Sequence, residues 1–388
     1  MARPPATAAT VAIAAGIAIA ITAFVIALIA AESQLTVSLL LVGACVVLFV
    51  TSRFGIAARV STLYAARERV VQGLVVLGVL STIVYFREDH FSLLLVATIL
   101  IYLVAALGLN VQFGYAGVLN FAGAAFFGAG CYTAAVLTAH TGLPHLLILL
   151  AGGAVAALVG CLLLLPVIRT RGHYAAVVTI AFSLLFKTFL EVNDTLGGPQ
   201  GLRVEGLRVL GWSFNDNIVI GSGLELSFYV NYALLGLALA MGVFALVRRL
   251  ERSWIGLNLD SIRLDETACA CFGLNIARWK VTAFTVGNFF TGLAGALFAM
   301  MMGFIAPTNF TFGDSLVLVS IVLLGGLGSP WGVAVATVIV ILIPEKFQAI
   351  QEYRFLLYAA VVVVMLMFRP QGLLPRRARQ YVSGWAPR

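Results

Sequence analysis

Leu93-Leu94-Leu95-Val96-Ala97-Thr98-Ile99-Leu100-Ile101-Tyr102-Leu103-Val104-Ala105-Ala106-Leu107-Gly108-Leu109 runs for 17 residues without a charge. A stretch of this length and composition nearly suffices to cross a bilayer as a helix. It is one of many. Comparable apolar runs fall at 8–31, 35–51, 70–86, 119–138, 146–168, 173–192, 226–247, 281–302, 315–343 and 355–368. Backbone polar groups in lipid must be satisfied within the segment, so runs of this kind are helices. The short alternating segments of a β-barrel are missing. The expected fold class is an all-α polytopic integral membrane protein with about 10–12 transmembrane segments.

Composition agrees. The 388 residues are 62% hydrophobic and 10% charged, with mean hydropathy +1.05. Soluble domains carry roughly 25% charged residues. The net charge of +8 does not point to nucleic acid, because most of the 24 Lys and Arg residues fall in alternate loops. That is the positive-inside pattern, and it predicts both termini on the cytoplasmic side. The first run begins too soon and lasts too long for a signal peptide, so it is expected to remain as the first membrane helix. The scattered cysteines 45, 131, 161, 269 and 271 read as small apolar residues.

The run at 315–343 contains Leu324-Gly325-Gly326-Leu327-Gly328-Ser329-Pro330-Trp331-Gly332. Pro330 lacks an N–H, and the glycines raise the entropic cost of helix there. The expectation is a broken helical hairpin, either re-entrant or fully crossing. It keeps the parity that puts the basic residues after 368 on the same side as the other basic loops. The connection 193–225, with Gly197-Gly198-Pro199-Gln200-Gly201 and Trp212, is too polar to span. It reads as a lid, a landing surface for an outside partner, or a plain structured loop.

No engine is visible on the chain. A G-x-x-x-x-G-K-[ST] phosphate loop is missing, and so are HExxH and any Ser/His/Asp or Cys/His set. Neither an enzyme nor a bound cofactor or metal is expected. His90, His140, His145 and His173 all sit near the ends of apolar runs.

Ionisable residues inside the membrane are functional candidates by default. Lys187 and Glu191, at i and i+4 on one helix, can neutralise each other. They serve either as a structural pair or as part of a pathway. The segment Gly108–Gly130 combines small residues with the amides of Asn110, Gln112 and Asn120 and with Tyr115 and Phe126. Close helix packing explains the glycines, while the polar and aromatic residues are candidates for a translocation pathway.

The stretch Arg248–Lys280 holds six Lys/Arg and four Asp/Glu in 33 residues between two apolar runs. Within it, residues 262–272 are expected to form one short amphipathic helix, capped by Ser261 or Asp260 and ended by Gly273. Leu264, Ala268, Cys271 and Phe272 fall on one stripe, with Arg263 and Glu266 opposite. Mixed charge favours a protein partner over anionic lipid.

Four pieces of the chain resemble the permease subunits of branched-chain amino acid ABC importers. Gly108-Leu109-Asn110-Val111-Gln112-Phe113-Gly114-Tyr115-Ala116-Gly117 with Ala125–Gly130 is similar to the family's GLN…G-x-x-G…AFxxxGAY. Arg171-Gly172-His173-Tyr174-Ala175…Thr179 with Gly197–Gly201 resembles RGxYxAxxT…GGPxG. Ser253-Trp254-Ile255-Gly256…Ile262-Arg263-Leu264-Asp265-Glu266-Thr267-Ala268…Gly273-Leu274-Asn275 resembles the coupling loop SPFGR…IRENEIAA…GLN. Gly325–Gly332 with Phe368-Arg369-Pro370-Gln371-Gly372-Leu373-Leu374-Pro375 is similar to GGxGTLxG…FRPxGLLG. The chain departs from the pattern at Trp254, Leu257, Leu264 and Cys131.

The resemblance implies a transmembrane domain over 93–375, N-terminal helices outside the match over 1–92, and a basic cytoplasmic tail at 376–388. It implies an importer of branched-chain or related amino acids in the bacterial inner membrane, working by alternating access. It further implies a second homologous permease, two cytoplasmic ATP-binding subunits and an extracytoplasmic substrate-binding protein as partners. ATPase coupling falls to Gly256, Arg263, Asp265, Glu266, Ala268, Gly273 and Asn275. An ion-coupled secondary transporter, a passive channel and a urea or amide permease stand as alternatives.

Overall fold

The structure, a computed structural model, describes residues 8–53, 68–169, 174–209, 211–220, 224–347, 353–368, 371–374 and 376. Arg3, Arg59, Arg67, the Arg171–His173 part of the second motif, Arg369, Pro370 and the tail from Arg377 lie outside the described residues.

Helices dominate. In chain order they are α1 Ala8–Ala30, α2 Gln34–Arg53, α3 Glu68–Tyr85, α4 His90–Asn110, α5 Gly123–His140, α6 His145–Arg169 and α7 Tyr174–Val192. There follow α8 Tyr229–Glu251, α9 Trp254–Leu264, α10 Glu266–Cys271, α11 Ile276–Met302, α12 Phe312–Gly325, α13 Pro330–Lys346 and α14 Arg354–Phe368. Among the described residues, six spans are long and apolar enough to cross a membrane: His90–Tyr115, His145–Leu164, Tyr174–Val192, Tyr229–Glu251, Ile276–Met302 and Pro307–Gly325. The chain is an all-α polytopic membrane protein.

The chain divides into two compact units. One comprises 1–97, 217–237 and 342–351, and the other comprises 98–216, 238–341 and 352–388. In the first, α1 packs on α3 so closely that a Cβ on Gly78 would lie 2.5 Å from Thr22 Oγ1. His90 Nδ1 shares a 2.7 Å hydrogen bond with Ser227 Oγ, and the Lys346 ammonium donates to the carbonyls of Ile29 and Ala31.

The second unit is built around α11, which packs along α5 and α6. Glycines allow the approach. A Cβ on Gly130 of α5 would sit 1.9 Å from the Gly292 carbonyl oxygen, and one on Gly295 would sit 2.0 Å from that of Phe127. Backbone therefore meets backbone with no side chain between, the arrangement that small residues give membrane helices.

The expected broken hairpin is present as α12 and α13. A capping box between Thr311 and Asp314 starts α12, and Gly326, at φ +106°, ends it. The Ser329 hydroxyl accepts from Gly332 N at 3.2 Å, and Pro330 occupies the first helical position, where a missing N–H costs nothing. The run expected to be helical from 119 starts only at Gly123. Gly117 at φ +66° and the Asn120 side chain, which accepts from Ala122 N at 2.9 Å, hold the preceding residues out of the helix. The connection at 193–225 is ordered into short 3-10 turns and strands. β1 Leu202–Arg203 pairs antiparallel with β6 Phe304–Ile305, β2 Arg208–Val209 with β3 Trp212–Ser213, and β4 Ile218–Ile220 with β5 Leu224–Leu226.

Candidate functional site

The charged stretch folds as two short helices, which corrects the single helix expected over 262–272. Ser253, not Ser261 or Asp260, caps α9, accepting from Gly256 N at 3.4 Å while its hydroxyl donates to Leu250 O at 2.7 Å. Ser261 Oγ instead donates to Leu257 O at 2.9 Å within the helix. Asp265 then breaks the run. Its backbone is extended, and its carboxylate accepts from Thr267 N at 2.8 Å and Ala268 N at 3.0 Å, so it caps α10. Gly273, at φ +77°, closes α10 with Leu274 N donating back to Cys269 O. Asn275 caps α11 through Arg278 N at 3.0 Å.

The break at Asp265 also changes the stripe. Cys269 is the buried residue of α10, whereas Leu264 is 79% and Phe272 87% exposed. Trp254, also largely exposed, packs edge-on against Trp279 with ring centroids 5.2 Å apart. Arg263 and Ala268 are exposed, and Gly256 is buried where a Cβ would meet the Leu250 carbonyl oxygen at 2.5 Å. Glu266 pairs with Lys280 at 2.6 Å. This end of the molecule offers a self-capped loop with exposed apolar side chains among charges.

The second set of predicted residues lies next to it. After α4 the chain widens into a π turn, Val111–Tyr115, fully buried. One-turn π segments are frequent at functional sites. From it Gln112 donates to Asn288 Oδ1 at 2.8 Å and to Phe284 O at 3.3 Å, and Asn120 Nδ2 donates to Gln112 Oε1 at 2.6 Å. Asn110 Oδ1 accepts from Gly328 N in the hairpin turn at 2.8 Å. Asn110, Gln112, Tyr115, Asn120 and Phe126 are all fully buried within the chain. Phe126 stacks on Phe182 at 5.5 Å and meets Phe284 edge-on at 5.8 Å.

Two predicted regions thus become neighbours. The π turn packs on α9, and a Cβ on Gly117 would lie 3.0 Å from Arg263 Cγ. Lys187 and Glu191 are elsewhere, paired at 3.2 Å on α7 with about a third of each side chain exposed. Sequence reading missed Asn288, though an amide inside the apolar run Val286–Phe290 was a signal. It also missed Arg376, which the sequence places at the start of the basic cytoplasmic tail 376–388. Arg376 instead binds Asp260 with both terminal nitrogens, at 2.5 and 2.8 Å, and lies over the Tyr115 ring. Burial works against its charge, but the Asp260 hydrogen bonds and carboxylate outweigh it and raise the guanidinium above its ordinary value.

The family model described as branched-chain amino acid transport system / permease component matches residues 91–368. The high-affinity branched-chain amino acid transport system permease protein LivM of Escherichia coli (strain K12) is 37% identical over 291 residues, 71% of this chain and 68% of that protein. Its namesake in Salmonella typhimurium is 36% identical over 289 residues, with the same coverage. The permease protein LivH of Escherichia coli (strain K12) is 22% identical over 308 residues, 75% of this chain and 96% of that protein. No solved structure matches. A polytopic helical chain with a capped charged loop, matched over most of its length by these proteins, belongs to the branched-chain amino acid transport permease family as a permease subunit of an ABC importer.

Proposed function

We propose that this permease moves branched-chain or closely related amino acids across the bacterial inner membrane by alternating access, driven by ATP hydrolysis on separate subunits. The observation that carries the reading is the loop α9–α10, whose caps are satisfied internally while Leu264 and Phe272 stand out. The first N–H groups of α9, α10 and α11 already have acceptors in Ser253, Asp265 and Asn275, which leaves the outer surface free to meet a partner.

In this reading residues 253–275 face the cytoplasm, as do both termini, and receive an ATP-binding subunit. Gly256, Arg263, Asp265, Glu266, Ala268, Gly273 and Asn275 shape or line that contact: Asp265, Gly273 and Asn275 by fixing the loop, Arg263, Glu266 and Ala268 by lying on its exposed side. A second homologous permease, a second ATP-binding subunit and an extracytoplasmic binding protein complete the transporter, and 193–225 receives the latter. Asn110, Gln112, Tyr115, Asn120 and Phe126 set the spacing of α4, α5 and α11 beside the pathway, and Lys187–Glu191 faces it.

Mild detergent extraction tests the reading. ATP-binding subunits should co-purify with the chain and be lost on Leu264→Asp or Phe272→Asp. Uptake in vesicles that needs an ion gradient but neither ATP nor a binding protein would overturn it.

A further inference from the structure

Leu373 N donates to Leu324 O at 2.8 Å, and Leu374 N donates to Gly325 O at 3.3 Å. Residues 371–374 are therefore fastened to the end of α12, at the turn of the broken hairpin. The fit is close: a Cβ on Gly372, itself at φ +81°, would lie 2.3 Å from Gly326 Cα. Two residues beyond this attachment, Arg376 reaches the opposite side of the junction. Its guanidinium grips Asp260 of α9 bidentately, and its Nε donates to Glu251 at the end of α8 at 3.3 Å.

The same side chain meets the other two elements of the junction. The guanidinium carbon lies 4.6 Å from the centre of the Tyr115 ring in the π turn. Its Cδ would be 3.0 Å from a Cβ on Gly328, the hairpin-turn residue whose N–H donates to Asn110. Arg376, Asp260 and Glu251 keep only 13%, 18% and 14% of their side-chain surface exposed. Arg248 adds a 2.5 Å contact to Glu251, so two cations face two carboxylates. Bidentate pairing fixes direction as well as distance, which a lysine cannot do.

We infer that residues 371–374, with Arg376, form a strap joining α9 to the turn of the broken hairpin, Arg376 being the positioning residue that makes α9, the π turn and the hairpin turn move together. A push on the exposed side of α9–α10 is then delivered to Asn110 and Gly328 through a stiff connection. Without Arg376, α9 would still carry its exposed docking residues but would be released from the hairpin. The inference rests on the ATP-driven reading above.

The test uses the assembled transporter in proteoliposomes, measuring ATP hydrolysis and amino acid uptake together. Arg376→Gln should leave the ATP-binding subunits bound and hydrolysis active, while uptake per ATP falls about tenfold, the scale of ordinary coupling between sites. Arg376→Lys, which keeps the charge but not the fork, should lose about fivefold. An unchanged ratio of uptake to hydrolysis in either variant overturns the strap. So does a loss of both activities in proportion to a loss of folded protein in Arg376→Lys, the variant to rely on if Arg376→Gln fails to assemble. Wild-type uptake that proceeds without ATP would instead sink the ATP-driven reading, and is told apart by the wild-type control alone.

Discussion

Gln112 and Asn288 come from opposite halves of the sequence, yet their amides meet at 2.8 Å in a site with no solvent exposure. Asn120 closes the set from the segment before α5, donating to both Gln112 and Asn288. The π turn, the segment before α5 and α11 are thereby pinned together. Inside an apolar bundle such a network is specific because each amide depends on the next.

Gln112→Leu or Asn288→Leu should each cost about 1–3 kcal/mol, because one partner is left buried and unsatisfied. The double variant should be less destabilised than the sum of the two, since contacting residues are not additive. Melting in detergent checks this, and strict additivity would mean that the network is not a unit.

Gly130→Ala should be severely destabilising, by about 3 kcal/mol or more, because its Cβ would sit 1.9 Å from a backbone oxygen. Gly242→Ala in α8 is the matched control, with nothing within 4 Å. It should be neutral or slightly stabilising. The comparison reads directly in yield and melting temperature.

Asp89 accepts from the Ser92 hydroxyl at 2.6 Å and from Phe91 N at 3.0 Å at the start of α4. Burial pushes its carboxyl up, but the Ser92 and Phe91 donors prevail and hold it below its ordinary value. A folded value below the unfolded one gives stability that is present above the unfolded pKa and lost as pH falls through the folded pKa. Asp89→Ala should therefore cost about 1 kcal/mol at neutral pH. The melting difference from wild type should shrink in acid; a constant difference would refute the cap.

Exchanging Lys187 and Glu191 keeps the 3.2 Å pair in reverse order. If the pair faces the pathway, uptake should fall while melting temperature and subunit assembly hold. Full uptake in the exchanged protein would make the pair structural only.

Much of this fold was legible in the sequence because membrane helices announce themselves by length and composition. Pro330 and its neighbouring glycines likewise marked the hairpin turn, since their effect on backbone conformation is local. Asp265 was misread for a physical reason. Helical spacing carried Leu264 and Phe272 onto one stripe, but an Asp that accepts two N–H groups starts a new helix and resets the phase. Asn288 and Arg376 were harder still. Their meaning lies in partners more than a hundred residues away, Gln112 and Asp260, and hydrophobic periodicity is silent on such pairings.

The glycine contacts of α11 have a bearing on how transport can proceed. Where the backbone of Gly130 rests on that of Gly292, and that of Phe127 on Gly295, no side chain remains to change rotamer and absorb a shift. A Cβ on Gly292 would also lie 2.7 Å from the Gly152 carbonyl oxygen of α6, so α5, α6 and α11 pack as one close-set group. In the alternating-access reading proposed above, movement then falls to the seams around that group, by sliding and not by bending.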